Sequence, residues 1–203
     1  MSITLYHHPM SRAATVVWML EECGVPYELV QVGLMGSDLN RAAVRAINPM
    51  GKIPVLVDDG VAIMESAAIG MYLADRYSAG VLAPALDDPA RGPYLRWCVY
   101  SPAVVEVACM ANAFGWQYKS GQAGFGKYDD VVTTLDSALS AGPWLLGERF
   151  TMADVILGGT LLWMLQFQMI EARPSLVAYA DRLKERPAKQ AANERNAAAA
   201  AAG

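Results

Sequence analysis

Short apolar runs fill the first third of the chain, and their period changes along it. Residues 3–6 (ITLY) form a brief strand-like run, and the loop HHPM follows. Over residues 11–23, Ala13, Val16, Val17 and Leu20 recur at helical spacing. Ser11 suits the N-cap of that helix, Gly24 its terminator, and Pro26 blocks continuation. Residues 27–32 alternate like a strand, and a weaker helix is predicted over 38–46, capped by Ser37 or Asp38. Two short strands, 54–57 and 61–64, flank Asp59-Gly60, a strong hairpin pair. A helix is then predicted over 66–77. The order β-α-β-α-β-β-α requires a right-handed parallel crossover first and an antiparallel pair last. The outcome is a small mixed α/β sheet with helices on its faces.

The pattern then changes for good. Residues 78–93 are rich in Pro, Gly and Asp and form a linker running into a helix start. Helices are predicted over 90–118 (bent at Pro102), 128–141, 151–168 and 175–186, with Pro187 ending the last. The tail AANERNAAAAAAG is low in complexity, a frayed helix or disorder, and no chemistry is assigned to it. The expected organisation is an α/β domain over 1–77, a linker over 78–88, and an all-helical domain over 89–203.

Composition narrows the function. At 54% hydrophobic and 18% charged, the chain has ample material for a core. A net charge of −4, with no run of Lys or Arg, argues against a nucleic-acid partner. The opening residues carry no basic leader, and the longest apolar run, 155–165, is about half of the ~20 residues that a bilayer span needs. A cytoplasmic protein without a membrane partner is expected. Cys23, Cys98 and Cys109 show no metal-type or CxxC spacing and suit reduced thiols. Two adjacent histidines, His7 and His8, make a protein-built metal site improbable, so no metal is expected.

One detail breaks the strand rules. Pro54 opens an otherwise buried strand although proline gives no N–H to a ladder. By residue chemistry alone it could be an ordinary edge-strand proline. Its surroundings say more. The segments NPMGKIPVLVDDG, ESAAIGMYLADRY and ERFTMADV, in this order, resemble three motifs of the glutathione transferase superfamily, and the likeness extends to about Pro187. The resemblance implies a thioredoxin-like N-terminal domain followed by an all-helical one, with a cis bond at Ile53–Pro54. Ile53 would then offer backbone N–H and C=O to the cysteinyl part of glutathione. Glu65 and Ser66, at a helix start, suit the ammonium and carboxylate of the γ-glutamyl end, though Ser66 could also serve as a plain N-cap. Lys52 and Arg41 are cationic candidates for the glycyl carboxylate, or simply solvated charges. Thr151-Met152-Ala153-Asp154 forms a capping box and is assigned to folding, not catalysis.

The resemblance also implies that the glutathione thiol is ionised in the site. A free thiol titrates near ~8.5, and lowering that by about two units takes ~2.7 kcal/mol. One hydrogen bond to the thiolate supplies ~1.5–3 kcal/mol, so a single hydroxyl suffices. Ser11, at the first helix start, and Tyr6, at the first strand end, both qualify. Ser11 is favoured over Tyr6, and Arg12 could assist. Cysteine chemistry is disfavoured because Met10 and Ser11 occupy the loop where it would sit. An apolar electrophile pocket would draw on the first long helix of the bundle, with Tyr100, Val104, Met110, Phe114, Trp116 and Tyr118 as candidates and Trp163 and Phe167 behind them, most of them ordinary core.

The expected function is attack of the glutathione thiolate on a small hydrophobic electrophile, as in detoxification, with glutathione as co-substrate and no tightly bound cofactor. Peroxide reduction, dehalogenation and isomerisation would use the same site. A non-catalytic interaction module of the same fold is the alternative from another class. The family resemblance also implies a homodimer, with Tyr72, Arg76, Tyr77, Arg91 and Tyr94 as interface candidates.

Overall fold

A computed structural model describes residues 2–34 and 36–201. The chain divides into two units, Met1–Ser78 with Arg186–Gly203, and Ala79–Glu185. In the first, β1 (Ile3–His7) alternates as a half-buried strand should, with Ile3, Leu5 and His7 buried and Thr4 and Tyr6 less so. Three further strands, β2 (Glu28–Gln31), β3 (Val55–Asp58) and β4 (Val61–Met64), complete a sheet in the order β2-β1-β3-β4. β1 and β2 run parallel across α1 (Ala13–Cys23), and the other two pairs are antiparallel. This is the mixed sheet that the strand–helix–strand opening and the hairpin require. Asp59 (φ 45°) and Gly60 (φ 86°) are both left-handed, as a two-residue hairpin turn demands.

Helix starts depart from expectation in instructive ways. α1 begins at Ala13, with Arg12 in the cap position. Ser11 acts one residue upstream, where its Oγ accepts the Ala13 N–H at 3.1 Å. α2 (Arg41–Ile47) begins late because Asn40 (φ 54°) turns the chain left-handed there; neither Ser37 nor Asp38 is its cap. α3 (Ser66–Tyr77) matches its predicted span, but Glu65, not Ser66, is its N-cap, and no side chain caps it.

The largest departure is at the far end. Pro187 does not end a helix; it is the first residue of α9 (Pro187–Ala201). Proline is well suited to a first helical position, where its missing N–H costs nothing. α9 packs against α1 in the first unit. Its alanines bury one face, Ala192 completely, and small residues let two helices approach closely. Arg186 donates from Nε and a terminal nitrogen to the two Glu22 carboxylate oxygens (2.7 and 2.8 Å), and Lys189 Nζ lies 5.4 Å from the Trp18 ring centre. The tail expected to fray is thus helical to Ala201. Its last two residues, 202 and 203, lie outside the described residues. The helical domain expected over 89–203 is correspondingly shorter, because the last helix belongs with the α/β unit.

The second unit contains α4 (Arg91–Tyr100), α5 (Val107–Ala113), α6 (Tyr128–Ser140), α7 (Met152–Gln166) and α8 (Pro174–Lys184). Pro102 is accommodated in a π-helical turn, Ser101–Glu106, between α4 and α5, rather than at a simple bend. α5 stops at Ala113, short of the expected 118, because Gly115 (φ 63°) closes it. The Gly115 and Trp116 N–H groups reach back to the Asn112 and Ala111 carbonyls at 3.3 and 2.9 Å, a Schellman ending.

Asp154 organises the start of α7. Its carboxylate is wholly buried and accepts from Thr151 N (2.8 Å), Leu145 N (2.9 Å) and Tyr179 OH (3.0 Å). Burial pushes its pKa up, and these donors oppose that shift. Replacing it strands these three donors and the Thr151 hydroxyl, whose Oγ1 donates at 3.2 Å. Asp154→Ala is therefore expected to destabilise the protein by about 3 kcal/mol or more. Urea denaturation measures this, and an unchanged midpoint would rule out the anchoring role.

Candidate functional site

Strand register gathers the sequence motifs at one place. Tyr6 of β1 pairs with Val55 of β3, and Val55 pairs with Met64 of β4. Each pair is antiparallel, so the carboxyl end of β1, the amino end of β3 and the carboxyl end of β4 coincide. The loop carrying Ser11 leaves that end, Ile53 and Pro54 enter it, and Glu65 and Ser66 leave it. β2 contributes as well: Val32 N donates to the His7 carbonyl at 2.8 Å, and Arg41 reaches the nearby Gly33 carbonyl at 3.3 Å. The carboxyl ends of strands in such sheets are the usual places for ligands.

The individual residues are set by local bonds. The Ile53–Pro54 peptide is cis, as the resemblance implies. Ile53 is half-buried against the Val32, Val44 and Val55 cluster, where Tyr6 and Met64 also pack. Lys52 is exposed, and its carbonyl accepts the Asn48 side-chain amide at 2.9 Å. Asn48 also accepts from Met50 N at 3.2 Å, so one buried amide pins the loop before the cis peptide. Asn48 opens the NPMGKIP motif, yet its positioning role was not anticipated from the sequence.

Glu65 is exposed and holds φ 68°, ψ 120°, outside the ordinary regions for a side-chain-bearing residue. Such a conformation costs about 1–3 kcal/mol and persists only where its surroundings enforce it. Ser66 follows as the first residue of α3, and with no side-chain cap there the first amides of the helix have no side-chain acceptor. An oxyanion is the natural complement to such an end.

The two candidate hydroxyls differ in their surroundings. Ser11 Oγ donates to the His8 carbonyl at 2.8 Å while accepting from Ala13 N. Its proton can be redirected by rotation about one bond. Tyr6 packs on the opposite side of β1 from Leu5 and His7, in the cluster that holds Ile53. Its hydroxyl makes no hydrogen bond among the described residues. Burial raises the thiols of Cys23 and Cys109 to about 12 each, with neighbouring Glu22 and Glu106 adding to the shift. Cys98 is buried too. Low-reactivity thiols of this kind suit packing.

Other assignments change. In the second unit, Tyr100, Val104, Met110 and Trp163 are half-buried, while Phe114, Trp116, Tyr118 and Phe167 are exposed. They are not the ordinary core expected of most of them, because α5 ends early and leaves a loop that carries several of them. The supposed interface residues have partners within the chain. Tyr72 OH, Tyr77 OH and Arg76 Nε converge on buried Asp58 Oδ2 at 2.8, 2.5 and 3.1 Å. Arg91 donates to the Pro84 carbonyl at 2.9 Å and lies over the ring of buried Tyr94.

Comparison with known proteins agrees with this architecture. Residues 5–85 match the family model for the glutathione S-transferase N-terminal domain, and residues 119–182 match that for its C-terminal domain. Glutathione S-transferase 3 of Schizosaccharomyces pombe is 32% identical over 171 residues, covering 75% of this chain and 70% of that protein. A glutathione transferase structure from Methylococcus capsulatus is 27% identical, with a TM-score of 0.79 and coverage of 96% of this chain and 98% of that one. A theta class enzyme from Xanthomonas axonopodis pv. citri, solved with glutathione bound, is 30% identical with a TM-score of 0.71, covering 94% and 96% of the two chains. The chain belongs to the glutathione S-transferase family, and its fold is that of the family. Among the described residues no helix is long and apolar enough to cross a membrane.

His7 was also missed as more than half of a histidine pair. β1 extends to it, and its ring is wholly buried with Nε2 2.7 Å from Asn196 Oδ1. Asn196 Nδ2 donates to the Ala14 carbonyl at 3.3 Å, which turns its Oδ1 toward the ring. The imidazole is therefore the Nε2–H tautomer. Burial lowers its pKa from the usual 6.5, with the Asn196 bond opposing and His8 assisting. Between the folded and unfolded pKa values the unfolded chain binds more protons, so stability falls as pH drops through about 6.5 and levels out below the folded value. His7→Gln should lose this part of the pH dependence. Urea titrations at about pH 7.5 and 5.5 compare the two proteins, and equal pH slopes would exclude His7 as the source.

Proposed function

We propose that this protein binds glutathione at the carboxyl end of β1 and directs its thiolate at a small apolar electrophile, forming a thioether. The observation that carries this reading is the convergence, through the Tyr6–Val55–Met64 register, of the cis-proline loop, the uncapped start of α3 and the Ser11 loop. The glutathione-bound relative from Xanthomonas axonopodis supports the ligand. The γ-glutamyl carboxylate fits Ser66 and the free amides of α3, with Glu65 receiving the ammonium. Ile53 meets the cysteinyl backbone. Lys52, exposed beside that loop, is better placed for the glycyl carboxylate than Arg41, which is already drawn to the Gly33 carbonyl.

As the ligand thiol loses its proton to solvent, Ser11 turns its hydroxyl from the His8 carbonyl to hydrogen-bond the resulting sulfur anion, keeping its own proton. The hydroxyl bonds weakly to a neutral thiol and strongly to the thiolate, so it lowers the thiol pKa without adding much to affinity. The α1 dipole contributes a fraction more. The sulfur lone pair forms the new C–S bond, and the electrophile accepts the electrons or expels them with a leaving group. Within the second unit, half-buried Tyr100, Val104 and Met110, and exposed Phe114 just past α5, offer apolar surface of the kind an electrophile requires.

Two measurements test the assignment. Glu65→Gln and Ser66→Ala each remove a charge-assisted contact, so calorimetry should show at least about ten-fold weaker glutathione binding. Because Ser66 makes no cap bond, its loss should leave the melting temperature nearly unchanged. Unaltered affinity in the folded double variant would refute the site. For activation, Ser11→Ala should raise the thiolate titration of bound glutathione and be rescued by higher pH, while Tyr6→Phe should not. The reverse pattern would make Tyr6 the activating group.

A further inference from the structure

We infer that Asn196, on α9, is a positioning residue for the Ser11 loop, so that the C-terminal helix tunes thiol activation; this rests on the glutathione-transferase reading above. One amide grips the chain on both sides of that loop. Its Oδ1 accepts from His7 Nε2 at 2.7 Å, at the end of β1, and its Nδ2 donates to the Ala14 carbonyl at 3.3 Å, in the first turn of α1. Everything between these two points is the loop that carries Ser11. Within it, the His8 carbonyl receives both Ser11 N (3.1 Å) and Ser11 Oγ (2.8 Å). The Ser11 carbonyl in turn receives Ala14 N at 3.1 Å. The separation of His7 from Ala14 therefore sets where the hydroxyl stands, and Asn196 sets that separation.

Packing alone does not call for an asparagine there. The neighbouring positions 197–201 are all alanine, and α9 has independent anchors in the Arg186–Glu22 pair, the Lys189–Trp18 contact and buried Ala192. Asn196 is half-buried, and drawing an amide even partly out of water is unfavourable unless its polar atoms are matched. Here both are matched, and both partners flank the candidate catalytic loop. The docking anchors and the clamp are separate residues. The clamp can be removed while the helix stays in place.

The test uses the full-length protein with Asn196→Ala, and Asn193→Ala as control. Asn193 is exposed on the same helix, bonded only to Lys189 among the described residues. Thiolate absorbance of the glutathione complex is titrated with pH, and steady-state kinetics separate kcat from KM. Asn196→Ala should move the titration upward by about half a unit or more, lowering kcat about three-fold or more near neutral pH. KM for glutathione should stay within about two-fold, and Asn193→Ala should match wild type. A merely structural residue would lower the melting temperature and leave the titration in place, and that result overturns the inference. Should Asn196→Ala fail to fold, Asn196→Ser, which keeps a hydroxyl toward His7, must still show an upward shift. A wild-type complex without any thiolate titration defeats the glutathione reading itself and this inference with it. A normal wild-type titration unmoved in the variants defeats this inference alone.

Discussion

The antiparallel pairing of β3 with both β1 and β4 is the constraint on which the site depends. With Tyr6, Val55 and Met64 side by side, segments separated by some fifty residues of chain end within one sheet edge. A one-residue slip of β3 would exchange the inward and outward sets of side chains. It would also carry Ile53 and Pro54 away from the Glu65 turn. The register is secured by burial on both faces: Leu5, Val55 and Leu56 are fully enclosed, and a slip of β3 would force consecutive Val55 and Leu56 to trade unlike surroundings. Core packing and ligand geometry are thus one specification. The hydrophobic pattern that closes the sheet is also what assembles the site.

That is why so much of the first unit was legible in the sequence. Strand alternation, the Asp59-Gly60 turn and the out-of-place Pro54 are local signals with local causes, and each survives in the structure. Helix beginnings were harder because several residues compete for the cap. Ser11 is a good N-cap by type, yet its hydroxyl gives its proton to His8 and the helix starts past it. Asn40 displaced Ser37 and Asp38 because an asparagine tolerates the left-handed turn needed there. The hidden features were tertiary. Pro187 can stop one helix or start another, and sequence spacing does not choose between them. What decides is the α1 surface that receives α9. Likewise Asn196 reads as an incidental polar residue until His7 and Ala14 are seen on either side of it.

Buried polar groups divide by purpose. Asp154 has four donors and Asp58 gathers two tyrosines and an arginine, with burial lifting the Tyr72 phenol to about 12. These clusters settle the ionic demands of the core and give fixed side-chain geometry. At the candidate site the balance is reversed. Glu65 is strained and exposed, Lys52 is exposed, and α3 begins without a side-chain cap. The polar groups bonded within these two clusters contrast with those left open at one sheet end. The proposed zwitterionic ligand, with separated carboxylates and an ammonium, would complement such an arrangement.

On the proposed reading the sulfur chemistry comes from the ligand. Cys23 and Cys109 are held near 12 by burial and adjacent carboxylates, and neither lies in the loop after β1. Ionising either at neutral pH would oppose both its surroundings and its neighbour's charge. A thiol bound at the end of β1 meets the opposite field: the amino end of α1, a hydroxyl able to turn toward it, and no carboxylate in the 7–13 segment. Burial and adjacent carboxylates thus suppress the Cys23 and Cys109 thiolates, whereas the proposed site would favour a guest's. Burial is the larger cause at both cysteines, and for Cys23 the polarity of α1 acts in the same direction. Cys23 sits at the carboxyl end of that helix, where the dipole disfavours an anion, and the Ser11 loop sits at the other. On the reading proposed above, the eleven residues of α1 hold a packing sulfur at one end and would place a reacting sulfur at the other.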